Sequence, residues 1–460
     1  MTVCALDFRY GREEMKAIFS EEAKIRYMLK VESALASAEA ERGLIPKRAA
    51  RAIGSAVAGD SVKIERVREI EAEINHDVMA MVRALSEVSG KGSPYVHYGA
   101  TSNDIIDTST ALQLREGIGL IRKGVIELER VIAKRAMEER ATVMLGRTHG
   151  QAALPITFGL KLAVFLSEID RQLERLEECE KRAVVGKMSG AVGTGASFGA
   201  EFFRLQSGVM KKLGIGYEEA SSQIVGRDRY AELVSVLSNL VTTCEKMATE
   251  VRNLQRTEID EVEEYFDSAR QVGSSTMAQK RNPVKAENIC GLARIARAFV
   301  TPSLENMILW HERDLTNSSA ERIILPHVMV LADDIVYKTS DLFRTLLVKR
   351  EVMRRNIENV RGIVMAERFM LRLADSYGRQ EAHEIIRKIA MKSEEKGITF
   401  GDALLSSAEV MKVLSKEEVM ELLDPDSYTG HSVKITEMVV ERVSRTRSLN
   451  ISSARHSANG

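Results

Sequence analysis

Beyond Arg227-Asp228-Arg229-Tyr230, the residues Leu233, Leu237, Leu240, Cys244, Met247, Val251 and Leu254 recur in steps of three and four. This spacing lays an apolar stripe along one side of a helix about 30 Å long, at ~1.5 Å per residue. Val234, Val236, Val241 and Ala248 widen the stripe into a face. Such a face requires other helices of similar length to cover it, which predicts a multi-helix bundle and favours oligomerisation. Similar patterns run through Ile105, Leu112, Ile121 and Leu128, and through Leu162, Phe165, Ile169, Leu173 and Leu176. A further one, begun by Pro326, passes Leu331, Ile335 and Leu342. Only 7 prolines and 5% aromatics in 460 residues agree with a mostly helical chain. The predicted fold is all-α with three helical domains. They are an N-terminal domain over 1–100, a central long-helix bundle over 101–348 and a small C-terminal domain over 349–445, before a polar tail over 446–460.

Charge narrows the partners. Lys+Arg 66 cancels Asp+Glu 66, which argues against a general nucleic-acid or membrane surface and leaves any anion to local clusters. Cys4, Cys179, Cys244 and Cys290 lack paired metal-ligand spacing, and three of them fall in helical patterns as reduced core residues. Asp7 and Arg9 interrupt the N-terminus, so no signal peptide is apparent, and no uncharged apolar run is long enough to cross a bilayer. A cytoplasmic location is expected. The glycine-rich stretch 189–199 is not a dinucleotide motif, because no strand precedes it and its spacing differs. His311-Glu312 does not extend to HExxH.

The chemistry-bearing residues lie in short stretches far apart. Gly273 to Asn288, GSSTMAQKRNPVKAEN, combines small residues, hydroxyls and the adjacent cations Lys280 and Arg281. After Pro283 an apolar helical pattern begins, so the stretch reads as a polar cationic loop anchored on a helix and suited to an anion. Thr101 or Ser102 is a good cap for the following helix, and the same helix end can receive a carboxylate or phosphate. That helix is read as ending near Gly146-Arg147-Thr148-His149-Gly150-Gln151. There His149 sits between small polar neighbours, as a group that exchanges a proton near neutral pH. Arg9-Tyr10 precedes the first helix, and Asn75-His76-Asp77 lies within a helical segment. Gln223 precedes the long stripe. Arg313 and Arg322 flank hydroxyl residues in WHERDLTNSSAER, as expected around phosphate or carboxylate.

GSSTMAQKRNP resembles the signature loop of the fumarase/aspartase superfamily, G-S-S-x-x-P-x-K-x-N, with Ala278 where proline is usual. Together with Arg9-Tyr10, Asn75-His76-Asp77, Thr101-Ser102, GRTHG, Gln223 with RDRY, and WHERDLTNSSAER, nearly the whole chain is similar to the adenylosuccinate lyase branch. Ala152 and Ala153 stand where that branch often carries more polar residues.

The resemblance implies cleavage of a carbon–nitrogen bond with release of fumarate at two steps of purine synthesis. It implies a small anionic nucleotide substrate, no metal or organic cofactor, and a homotetramer whose sites are each assembled from three subunits. It further implies Ser274 as the base, His149 as the acid and His76 orienting the substrate. Thr101, Ser102, Lys280 and Asn282 would hold the succinyl carboxylates, and Arg9, Tyr10, Arg313, Ser318 and Arg322 the phosphate and ribose. Asn75, Asp77, Gln223, Ser275, Arg281 and Asn288 complete the implied substrate contacts. A carboxymuconate cycloisomerase or argininosuccinate lyase shares the loop, and a non-catalytic helical scaffold is the rival of another class. Arg9-Tyr10 and the Arg313 to Arg322 segment favour the phosphorylated nucleotide.

Overall fold

The structure, a computed structural model, describes residues 3–267, 276–277, 279–447 and 449. Its main helices are Ser102–Glu138, Phe158–Ala183, Asp228–Leu254, Val284–Ala298 and Thr316–Thr345. Strand is confined, among the described residues, to three two-stranded ladders. The fold is all-α in class, as the apolar periodicity predicts. Two compact units are present. The first comprises Met1–Val125, Arg171–Cys244 and Gly291–Tyr337, and the second Ile126–Asp170, Glu245–Cys290 and Lys338–Gly460.

In the first unit, the helices Glu21–Glu41, Lys47–Ala58 and Asp77–Val88 close over Leu35, Ile53, Met81 and Leu85. Ile105 and Leu112 of the Ser102 helix join this core, with Val209 and Met210 of the helix Phe202–Leu213. The stripe residues Leu233, Leu237, Leu240 and Cys244 are buried. Leu233 and Leu237 are 0% exposed, so the heptad-like spacing was a true record of packing.

In the second unit, a hairpin pairs Val143–Thr148 antiparallel with Gln151–Thr157. Further along, the helices Ala366–Tyr377, Arg379–Lys396 and Phe400–Leu405 surround Phe369, Leu373, Ile389 and Phe400, and Leu145 of the hairpin joins this cluster. Phe369 and Phe400 meet edge to face with centroids 5.9 Å apart.

Local details differ from expectation. The Ser102 helix stops at Glu138, and the stretch through Gly146 is strand. His149 (φ 54°) and Gly150 (φ 75°) are a two-residue turn of the kind that matches the twist of paired strands, a signal hidden by the helical pattern before it. Asn75 and His76 break a helix instead of continuing one. Asn75 adopts the left-handed conformation at the end of Ile64–Ile74, and His76 caps Asp77–Val88 by accepting the Met79 N–H at Nδ1 (3.3 Å). Arg9 follows a short helix, Ala5–Phe8. Pro326 lies inside Thr316–Thr345, not at its start, and denies the Arg322 carbonyl its usual helical donor.

Glu39 is buried in the first unit, and neither of its carboxyl oxygens has a hydrogen-bond partner among the described residues. Burial, then the charge of Glu32, pushes its pKa from 4.5 up to about 9. The folded state therefore holds a proton that the unfolded chain has released above pH 4.5, so stability falls as pH rises through the window from 4.5 to about 9. Glu39→Gln removes that loss. Thermal melts should show the variant equal to the parent near pH 4 and more stable at pH 8 to 9 (~1–3 kcal/mol).

Candidate active site

In the first unit, an open cavity of about 310 Å³ is lined by Lys24, Asn103, Arg313, Asn317, Ser318 and Arg322, among others. Three of these, Arg313, Ser318 and Arg322, are residues assigned from sequence to the phosphate and ribose end. Arg313 donates from Nη1 to Gln223 Oε1 at 2.9 Å, tying a fourth predicted residue to the same wall. Arg322 donates to Asp77 Oδ2 at 2.7 Å, and Lys24 lies 3.7 Å from the same oxygen. Burial favours protonation of Asp77, but Arg322 and Lys24 outweigh it and hold the carboxyl below its ordinary range. Burial and then Arg322 lower the pKa of Lys24, against the pull of Asp77. Two cations, Lys24 and Arg322, share this one carboxylate, and with Arg313 on the same cavity the wall is electrostatically open to an anion.

The cavity's frame is a buried ion network. Arg227 donates to both oxygens of Asp107 (2.8 and 3.0 Å) and to Glu321 (2.8 and 3.2 Å). It thereby joins the Ser102 helix to the Thr316 helix. Burial disfavours its charge, but Asp107, with Tyr230 and Glu321, holds its pKa above the usual guanidinium value. Glu321 is pushed up by burial despite Arg227, which fits its less complete compensation. One turn earlier, Asp104 accepts the N–H groups of Thr101 (2.9 Å) and Ser189 (2.9 Å) and pairs with the fully buried Lys187.

Two glycines place neighbouring segments. Gly11 (φ 88°) lets the chain after Tyr10 lie on the Thr316 helix, since a Cβ there would come within 2.4 Å of Val330 Cγ1. The Arg9 guanidinium lies over the Tyr10 ring, 5.8 Å from its centroid. Gly99 (φ 72°) admits the ring of Phe198, which a Cβ would meet at 2.7 Å, just before Thr101 and Ser102. His97 is fixed on the buried Glu32 through its Nδ1 (2.6 Å) and its backbone N–H (3.1 Å).

In the second unit, the hairpin carries His149 at its exposed tip. Arg147 anchors that hairpin by two bonds to the buried Glu261 (3.0 and 2.7 Å), which also accepts from Asn356 at 2.9 Å. Ser274 and Ser275 lie outside the described residues. Of the remaining loop, the Lys280 N–H donates to the Met277 carbonyl (3.1 Å), and the Arg281 guanidinium lies 4.0 Å from the centroid of Phe266. Asn282 leads into the helix Val284–Ala298, where Pro283 supplies the first accepting carbonyl, to Glu287. Glu264 closes the start of that helix by accepting the N–H groups of Lys285 (3.0 Å) and Ala286 (2.6 Å). Asn288 accepts from Lys338 Nζ at 2.7 Å.

Sequence reasoning passed over Lys24, Asn103, Asn317 and Glu264 as site residues. Lys24 sits in an ordinary amphipathic helix with no local signal. Asn103 and Asn317 adjoin residues already singled out, and their adjacency was the available clue. Among the described residues, no group of three or more His, Cys, Asp or Glu side chains is placed to hold a metal ion, and no helix is long and apolar enough to cross a membrane.

A model of the lyase family matches residues 7–297, and one described as the adenylosuccinate lyase C-terminus matches residues 362–439. The chain belongs to the adenylosuccinate lyase family. It is 48% identical to the adenylosuccinate lyase of Pyrococcus abyssi over 96% of this chain and 98% of that one. It is 46% identical to that of Methanocaldococcus jannaschii, covering 96% of each. Among solved structures, a fumarate lyase from Mesorhizobium is similar at 33% identity and a TM-score of 0.87, with 94% of this chain and 98% of that one covered. A β-carboxy-cis,cis-muconate cycloisomerase from Acinetobacter calcoaceticus is similar at 29% identity and 0.86, with 95% and 100% covered. Backbone similarity is thus shared across different chemistries, while sequence identity favours the adenylosuccinate lyase family.

The ion network gives a direct stability test. Arg227→Leu leaves Asp107 and Glu321 buried without their cation, and denaturant unfolding should show a loss of about 3–5 kcal/mol. A change below about 1 kcal/mol would mean that the network does not hold the two helices.

Proposed function

We infer that the chain cleaves the carbon–nitrogen bond of adenylosuccinate, giving AMP and fumarate, and of succinylaminoimidazole carboxamide ribotide, giving the aminoimidazole carboxamide ribotide and fumarate. The observation that carries this reading is the 48% identity to an adenylosuccinate lyase across nearly both full chains. The cation-lined cavity supplies a fitting site for a phosphorylated ligand. Carboxymuconate cycloisomerases share the backbone at lower identity and need no phosphate site.

The reaction is an elimination. A base takes a proton from the succinyl carbon beside a carboxylate, that electron pair forms the fumarate double bond, and the carbon–nitrogen bond breaks. An acid protonates the departing nitrogen. Ser274 is assigned as the base, a role that requires cations and N–H groups around it to favour its ionised form. His149, carried on a turn whose strands are locked by Arg147, is the acid. His76 orients the substrate; with Nδ1 spent on the Met79 N–H, its Nε2 is the ring atom left to face it. Thr101, Ser102, Lys280 and Asn282 hold the succinyl carboxylates, with Ser275, Asn288 and Arg281 beside them. Arg9, Tyr10, Arg313, Ser318 and Arg322 take the phosphate and ribose, and Gln223, Asn75 and Asp77 support that end. No metal or organic cofactor enters the chemistry. The enzyme works as a cytoplasmic homotetramer, each site drawing residues from three chains, which accounts for an acid on an exposed hairpin tip.

Ultraviolet absorbance after separate addition of adenylosuccinate, argininosuccinate and carboxymuconate to purified protein tests the substrate. Change with adenylosuccinate alone is expected, and change with either of the others alone would refute the reading. Ser274→Ala and His149→Gln should each lower kcat by about 10²-fold or more with little change in KM. Near-normal turnover in either variant removes that residue from its role.

A further inference from the structure

The cavity has two kinds of wall. Lys24 and Arg322 are the more exposed part, with side chains 33% and 54% exposed. Asn103 and Asn317, each 1% exposed, form a deeper part. Neither Oδ1 nor Nδ2 of Asn103 has a hydrogen-bond partner among the described residues. Asn317 donates from Nδ2 to Glu321 (2.9 Å), which leaves its Oδ1 unpartnered. Nε of Arg313, on the same cavity, is unpartnered too.

Folding uses the Asn317 donor but explains neither its oxygen nor the Asn103 amide. Asn103 stands in the first turn of the Ser102 helix, where an asparagine often serves as a cap, but the Thr101 N–H is already taken by Asp104. An unpaired buried amide costs stability, and an apolar side chain would fill the place better. A partner from outside the chain is the remaining use for it.

The unfilled atoms also define what that partner is. Two amide oxygens need donors, while Asn103 Nδ2 and Arg313 Nε need acceptors. Phosphate and carboxylate groups only accept when ionised, so they cannot satisfy either oxygen and are repelled by both. A hydroxyl donates and accepts. Of the parts common to the two substrates inferred above, only the pentose carries neighbouring hydroxyls.

We propose that Asn103 and Asn317 form an uncharged subsite that binds the ribose hydroxyls of the nucleotide, while Lys24 and Arg322 meet its phosphate. Lys24 becomes a further anion contact and the two asparagines determine the preference for ribo- over deoxyribonucleotides. The proposal rests on the reading of the substrate as a phosphorylated nucleoside.

Calorimetric titration of the full chain with AMP, 2′-deoxy-AMP and 3′-deoxy-AMP tests it, using the parent, Asn103→Ala and Asn317→Ala. The parent should bind AMP about 10-fold more tightly than at least one deoxynucleotide, the worth of one or two neutral hydrogen bonds. Asn103→Ala should bind AMP and that deoxynucleotide alike, with Tm unchanged or raised because no internal hydrogen bond is lost. The proposal is overturned if the parent does not discriminate, or if Asn103→Ala keeps the discrimination. A lowered Tm with equal weakening of all three ligands also overturns it, as the mark of a structural role. Fumarate release from adenylosuccinate by the parent, assayed alongside, separates the two ideas. Release without discrimination sinks the subsite alone, whereas discrimination without release leaves a nucleotide site and sinks the reaction.

Discussion

One guanidinium, that of Arg227, sets the geometry of the first unit. It is buried against Asp107 on one helix and Glu321 on another, and its Nη1 also donates to the Val225 carbonyl at 3.0 Å. A planar group with five donors fixes distance and rotation together, which a lysine in the same place would not do. Isolated buried charges are costly, and this one is tolerable because nearly every donor is used. The Thr316 helix carries Arg313's neighbours Asn317, Ser318 and Arg322, and the Ser102 helix carries Asn103. Fixing those two helices therefore fixes both walls of the cavity.

The second unit solves a similar problem with different parts. A side chain on a long free loop would wander; here a two-residue turn presents His149, the acid of the proposed reaction, from paired strands. The pair Arg147 and Glu261 holds those strands from beneath. Glu264 gives the helix after the signature loop a fixed start, and burial raises its pKa against the two N–H groups it accepts. In both units the described candidate residues stand at the ends of rigid elements pinned by buried ions, a placement that suits preorganised surroundings.

Much of this was legible from residue order. The stripe from Leu233 to Leu254 predicted a long buried helix, and its residues are buried. Arg313 to Arg322 read as an anion-binding segment, and Arg313, Ser318 and Arg322 line one cavity. The hairpin was not legible, because the apolar steps through Leu128 continue smoothly toward Val143 and His149-Gly150 is a rarer turn pair than Asn-Gly. Pro326 was misplaced because proline is commoner at a helix start than within one. Lys24 gave no signal at all, since its partner Asp77, and the Arg322 that shares it, are distant in sequence. Buried, unpaired amides such as Asn103 are visible only once neighbours are placed.

In the proposed enzyme the residues of one catalytic centre are contributed by different copies of the chain. His149 stands on an exposed turn, while the cavity proposed for the phosphorylated end is built within the other unit. Mixing purified His149→Gln and Ser274→Ala proteins, under conditions where subunits exchange, measures this directly. Sites that draw one residue from each parent would regain both wild-type groups, so a mixture of two inactive proteins should recover a clear fraction of fumarate release. If subunit exchange is demonstrated and the mixture stays as inactive as its parents, each chain completes its own site and the account is wrong.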